Sequence, residues 1–438
     1  MKKIKLIPLC LIAVLAAGLT SCGKEEQKTE LGGKEGATAS IEKETVEFWM
    51  LPLISAEELQ AMVDSFNAQS ETTEVNLTVL DWGNGREQIK QAVASGSGPD
   101  VFYIGAGLDS AYVDGGLLLP LDENGYSEDE IAKYTDLVDA NVVDDHLLAA
   151  PITYENYVLY YRTDVLEEYG FFEPPTNWDE LKSMAKTITE ESNGEIMGFQ
   201  FKGADDQLNA INYSWQTLLS QSGGELVDLN KMESTENSPE AIEALEYMKS
   251  FYTEGISEMG TSSNNGFREG KIAMYMFTTG PMTSEGFIND DTMSGKWAIA
   301  APPTGTDNAG GYLGGQSVAV SADSKVPENA VEFVKYFTSP ENVPNWLNAF
   351  YGVQPFDLEK LTDSERTAIE EVYEETPEYW TAILESADAC TPEFMIQSRY
   401  AYTARWDAQK RLIIAALTGE MDIQEALKQI DIEVNQAM

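Results

Sequence analysis

PITYENYVLYYRTD, residues 151–164, sets four tyrosines within eight positions beside one carboxylate, Glu155. Read with a period of two, Tyr154, Asn156, Val158 and Tyr160 share one face, while Glu155, Tyr157, Leu159 and Tyr161 share the other. Both faces are mostly apolar, so Tyr157 to Tyr161 is expected to be a strand covered on both sides. Tyr154 and Glu155 stand at the start of that run and call for a separate role.

Strands and helices alternate upstream of this stretch. Residues 46–51 read as a strand and 55–69 as an amphipathic helix with Leu59, Met62, Val63 and Phe66 on one face. Residues 75–80 read as a strand, 86–95 as a helix, and GSGPDVFYI as a turn and a buried strand over 101–104. This alternation predicts α/β architecture with a mainly parallel sheet. Downstream the pattern restarts: residues 163–169 are helical, PPTNWDELKSMAKTI places Thr176 and Asp179 as a capping box, a helix starts at Ser238 with Pro239 in its first turn, and FREGKIAMYMF is a turn and a strand. The length predicts two domains.

The N-terminus has its own logic. In MKKIKLIPLCLIAVLAAGLTSCGKEE three lysines precede an apolar run too short to span a bilayer comfortably, as in a secretory signal over 1–21. The run ends in small residues before Cys22, which resembles the lipoprotein signal and implies lipidation there. Residues 22–44 are then a lipidated cysteine and a tether poor in large apolar side chains, with a reach of roughly 25 Å. Cys390 is left as the one cysteine of the folded body, which excludes an intramolecular disulfide and a thiolate metal site. His146, the only histidine, lies between an acidic pair and an apolar run and reads as structural.

The formal charge is −46, from 28 Lys and Arg against 74 Asp and Glu. Such a field excludes nucleic acid as a partner and works against anionic ligands unless a local basic pocket intervenes.

Seven segments carry a family resemblance in the expected order: GSGPDVFYI, DGGLLLPLD, PITYENYVLYYRTDVLEEYGFFEPPTNWDELKSMAK, FREGKIAMYMFTTGP, KWAIAAPPTG, GGQSVAVSADSKVPENAVEFVKYFTSPENVPNWL and LTGEMDIQEALKQIDIEV. Together they resemble extracellular solute-binding proteins of the carbohydrate ABC-importer class, of which the maltose-binding protein is the familiar member. The resemblance implies a type II periplasmic-binding-protein-like fold: two α/β lobes, three hinge crossovers and a ligand cleft between the lobes. Lobe one is then expected over 45–153 plus 302–351 and lobe two over 157–298 plus 356–438, with crossovers near 153–157, 298–302 and 351–356. It further implies a lipid-anchored monomer on the outer face of a bacterial membrane, a sugar ligand, ABC permease subunits as partners and no cofactor.

Sugars present hydroxyls that need directed hydrogen bonds and C–H faces that pack on rings, so carboxylates, amides and aromatic platforms are sought together. The resemblance puts ligand contacts on Glu155, on Tyr213 in NYSWQTLLSQSGGELVD, and on Trp406 in QSRYAYTARWDAQKR. Trp215 is a second candidate in the Tyr213 segment, and Tyr154 is expected beside Glu155, facing the cleft. Arg405 and Asp407 read as a solvated helix face. Trp82 in LDWGNGRE stands between a strand and a helix, where ligands of open α/β sheets gather. In FTTGPMT, Gly280 is followed by Met282 where related proteins often have a tryptophan, a departure that leaves the ligand open. GGYLGGQSVAVS offers Gly314, Gly315 and the amide of Gln316. Two other functions fit the composition: a binding protein for a cation such as a polyamine, which carboxylates and rings would hold, and a secreted glycoside hydrolase, for which no carboxylate pair stands out.

Overall fold

The computed structural model describes residues 43–203 and 210–438; the signal, Cys22 and the tether up to residue 42 lie outside them. In chain order the main elements begin with β1 (Glu44–Met50), α1 (Ala56–Gln69), β2 (Thr73–Val79), α2 (Gly85–Ala94) and β3 (Val101–Gly105). After a run of short elements come β4 (Ala150–Asn156), β5 (Val158–Tyr161), α3 (Trp178–Glu191), β6 (Met197–Phe201), α4 (Ile211–Gln221), α5 (Pro239–Thr253) and β7 (Ile272–Phe277). The chain closes with β8 (Ala298–Ala300), β9 (Leu313–Val320), α6 (Pro327–Phe337), α7 (Asp363–Glu375), α8 (Pro377–Asp388), α9 (Tyr402–Thr418) and α10 (Ile423–Ala437).

The first sheet has the order β2-β1-β3-β9-β4, and the second has β8-β5-β7-β6. Only part of the expected parallel grammar survives. β1 pairs in parallel with β2 and β3, but β9 runs antiparallel to both of its neighbours, and in the second sheet only β6 and β7 are parallel. Both sheets are mixed because the strands that return from the far sheet, β5 and β9, enter against the local direction.

Helix α1 buries Leu59, Met62, Val63 and Phe66, the face read from its spacing, and Ser55 closes a capping box with Glu58. Phe48 of β1 then meets Phe333 and Phe337 of α6 edge-on, each at 5.0 Å. The cap of α3 falls one residue later than predicted. Asn177 accepts from the amide of Glu180, and the Glu180 carboxylate reaches back to the amide and hydroxyl of Thr176. Asn177 wins because its short amide side chain caps as well as threonine and leaves Thr176 to the reciprocal bond.

The opening stretch is a strand buried on both sides, as expected. Leu159 packs with Tyr157 in the core around α3 to α5, while Tyr160 faces the other way and stacks on Tyr275 at 4.7 Å. The chain leaves the first sheet at Asn156 and joins the second at Val158. It returns later than the sequence suggested: the Tyr312 amide still bonds Thr217 of α4, and pairing with the first sheet starts at Leu313. The last passage is later too, since Val353 and Phe356 still bridge to Tyr154 and Tyr134 on the first-sheet side. Helix α8 laces the first passage, where Asn156 Nδ2 donates to Ile383 O (2.9 Å) and Ser386 Oγ donates to Tyr157 O (2.6 Å).

Candidate functional site

A cleft of about 1400 Å³ opens where the C-terminal ends of β2 and β3 face α4 and α9. On the first wall the Asp81 carboxylate accepts from the amides of Gly83 (2.8 Å) and Asn84 (3.2 Å), a local turn that presents Trp82 with 45% of its surface exposed. Helix α2 starts at Gly85, where a Cβ would come within 2.6 Å of Leu51; that close approach brings Arg86 to the cleft. Its guanidinium carbon lies 5.3 Å from the centre of Trp82 and 5.6 Å from that of Tyr103.

A hydrogen-bond chain runs inward from there. Arg86 Nη2 donates to Tyr103 Oη (3.0 Å), Tyr103 Oη donates to Gln316 Oε1 (2.5 Å), and Gln316 Nε2 donates to Glu155 Oε1 (2.6 Å). The links come from α2, β3, β9 and β4, of which the three strands are neighbours in the sheet. Burial pushes the Glu155 carboxyl up to about 7, against the opposing pull of the Gln316 amide and the Arg86 charge. Burial likewise lifts the Tyr103 phenol to about 12, so it stays protonated and able to donate.

The second wall is aromatic. The Tyr213 ring of α4 lies 4.4 Å from Tyr312 and 4.8 Å from Trp406, and Tyr402 stacks on Trp406 at 5.8 Å. Tyr402 and Trp406 are one helical turn apart on α9 and share its cleft face. Behind them the same helix buries Arg405, whose Nη1 meets Glu236 Oε1 at 2.6 Å with both side chains almost fully enclosed. Trp215 Nε1 and Gln409 Nε2 satisfy the other Glu236 oxygen at 3.0 and 2.5 Å. Gly314 supports the wall from below, because a Cβ there would fall 2.1 Å from the Tyr312 hydroxyl.

Eight sequence candidates line this cleft: Trp82, Glu155, Tyr213, Gly280, Gly314, Gly315, Gln316 and Trp406. Three do not. Tyr154 is fully buried in the first core, and its hydroxyl has no hydrogen-bond partner among the described residues. Strand alternation sends neighbours to opposite faces, so Glu155 and Tyr154 cannot both look into the cleft. Trp215 is fully buried on Glu236, since two residues along a helix from Tyr213 is the opposite side. Met282 is also fully buried, in the first core, leaving Gly280 and the buried Pro281 to line the cleft. Arg405 is not solvated as read; only Asp407 is exposed. Gly315 is glycine for Tyr154, because a Cβ would meet Thr153 O at 2.7 Å and the Tyr154 ring at 2.9 Å.

Sequence reasoning missed Arg86, Tyr103, Tyr312 and Tyr402. The i, i+4 spacing from Trp406 would have found Tyr402, and Arg86 stands in the same LDWGNGRE segment as Trp82. Nothing local marks Tyr103, which sits in an apolar strand.

The chain belongs to the bacterial extracellular solute-binding protein family, whose model matches residues 53–344. A Brucella abortus protein is 28% identical over 275 residues, covering 61% of this chain and 64% of its own length, so the chain spans less than two thirds of that relative. The diacetylchitobiose binding protein of Streptomyces coelicolor is 27% identical over 352 residues, 76% of this chain and 77% of that protein. Among solved structures, an ABC substrate-binding protein of Listeria monocytogenes in complex with cycloalternan matches with a TM-score of 0.75 at 19% identity, over 90% of this chain and 99% of that one. The fold is that of the two-lobed type II periplasmic binding proteins.

Proposed function

We propose that this protein captures an extracellular oligosaccharide in the cleft and delivers it to the permease of an ABC importer. One observation carries the reading: rings on both walls flank a hydrogen-bond chain that ends on a buried carboxyl. Trp82 on one side and Tyr213 with Trp406 on the other offer platforms for C–H faces, while Glu155 offers directed bonds to hydroxyls, with Gly280, Gly315 and Gln316 shaping the floor. The relative named for diacetylchitobiose supports a sugar over a polyamine. Capture closes the lobes about the passages between the sheets, since a ligand touching both walls favours the closed population.

In this reading Cys22 carries a lipid that holds a monomeric body at the outer face of the membrane, and the protein binds without catalysing. Detergent partitioning of wild type and Cys22→Ala checks the anchor; equal partitioning into the aqueous phase rejects it. Titration calorimetry against oligosaccharides and spermidine tests the ligand. Above about pH 8, where the Glu155 carboxyl is charged, sugar binding weakened by about 1.5–3 kcal/mol in Glu155→Gln is expected, the range for bonds to charged groups. Heat from spermidine alone would replace sugar by cation.

A further inference from the structure

Most charged side chains of the cleft already have a protein partner. Lys90 pairs with Asp109 at 2.7 Å, and Arg405 pairs with Glu236. Arg399 donates to the carbonyls of Gly107 and Ala140. Glu58 caps its own helix, Glu87 accepts from Gln91, and Glu285 accepts from Asn264. Arg86 is different. Its surface is exposed in the cleft, it forms no ion pair among the described residues, and its one hydrogen bond goes to a neutral phenol, Tyr103. A guanidinium has five N–H donors, so four have no partner among the described residues.

An unpaired cation is out of keeping with this chain, in which acidic residues outnumber basic ones 74 to 28. A neutral sugar does not require it, because amides, phenols and carboxyls already satisfy hydroxyls. The long-range field of the body repels anions, but it is screened over roughly 8 Å at physiological salt, so a local cation decides what is held at contact. The Trp82 ring beside the guanidinium adds a place for a sugar face, and a substituent of a ring stacked there points at Arg86. Burial raises the pKa of Glu155, the carboxyl that couples to Arg86, to about 7, so near neutral pH only part of it is charged and its repulsion of an anion is weakened.

We infer that the cleft selects an acidic sugar, one bearing a carboxylate or sulfate, and that Arg86 receives the anionic group through paired, charge-assisted hydrogen bonds. The inference rests on the carbohydrate reading. A polyamine is disfavoured by the same charge.

The test is calorimetry on the full chain with oligomers of glucuronic and galacturonic acid, sulfated galactose oligomers, and the uncharged counterpart of each. At least one acidic oligomer should bind roughly 10- to 100-fold tighter than its neutral counterpart, the effect of one hydrogen-bonded charge. Whether the uronates or the sulfated oligomers lead identifies the anion. Within each variant the readout is the ratio of acidic to neutral affinity: Arg86→Gln should bring that ratio to about one, whatever it does to the neutral sugar, and Arg86→Lys should keep part of it. Thermal melting of each ligand-free variant confirms that it is folded. Neutral sugars binding as tightly as acidic ones overturns the inference and leaves the carbohydrate reading standing. So does a preference that survives in Arg86→Gln. Binding of no sugar at all overturns both.

Discussion

The two walls of the cleft are built in opposite ways. On the first, four separated segments each lend one side chain, and Arg86, Tyr103, Gln316 and Glu155 are joined in line by hydrogen bonds. On the second, rings pack edge to face above a buried ion pair that belongs to the lobe's own core. The first wall fixes direction and charge, and its outer members contribute little to the fold. The second supplies area, and its platform is inseparable from stability. Substitutions on the two sides should therefore fail differently.

The largest effect is expected from Glu236→Ala. It leaves Arg405 charged and enclosed, and breaking a buried pair in this way costs about 3–5 kcal/mol. Urea unfolding reads it directly. A loss under about 1 kcal/mol, on the scale of an exposed pair, would mean that the second wall does not rest on this network.

Glu155 comes next, and the effect depends on pH. Its carboxyl is raised to about 7 in the folded chain, so the folded state holds its proton more tightly than the unfolded one. The contribution to stability is complete below the unfolded value near 4.3 and is lost as pH rises through about 7. Relative to Glu155→Gln, wild type should lose roughly 3 kcal/mol between pH 4 and pH 8. Parallel stability–pH curves for the two proteins would show that the carboxyl is solvated and the first wall more open than described.

The smallest change in stability belongs to Trp82→Ala. An exposed ring on a surface turn should move the unfolding free energy by no more than about 0.5 kcal/mol, while sugar affinity falls by about 0.5–1.5 kcal/mol, the worth of a ring contact. A large stability loss would erase the contrast between the walls.

Much of the fold was legible because burial writes itself into spacing. The α1 face and the two-sided strand at 158–161 follow from periodicity alone. The mixed direction of the sheets was not legible, since nothing within β9 records which neighbour it meets after a passage from the other sheet. At the site, the same periodicity applied more strictly would have separated Glu155 from Tyr154 and Tyr213 from Trp215. What no spacing could show is the chain from Arg86 to Glu155, whose bonded neighbours are up to 213 positions apart. Met282 was misplaced for a related reason: a motif gives the neighbourhood of a cleft, but not which of three consecutive side chains turns inward.

Helix α8, which laces the first passage between the sheets, ends two residues before Cys390, the only cysteine among the described residues. Its thiol lies against Ser386 O at 3.4 Å and near Gly311 O at 4.0 Å, just ahead of the second passage, and burial pushes its pKa up to about 12. The reactive thiolate is therefore scarce while these segments stay together. That makes this half-buried residue a reporter on how tightly these segments are held together. With Cys10 and Cys22 replaced by serine, alkylation of Cys390 should be slow, and slower still with sugar bound. The rate then reads the surroundings of the thiol directly, with no label or partner added to the protein.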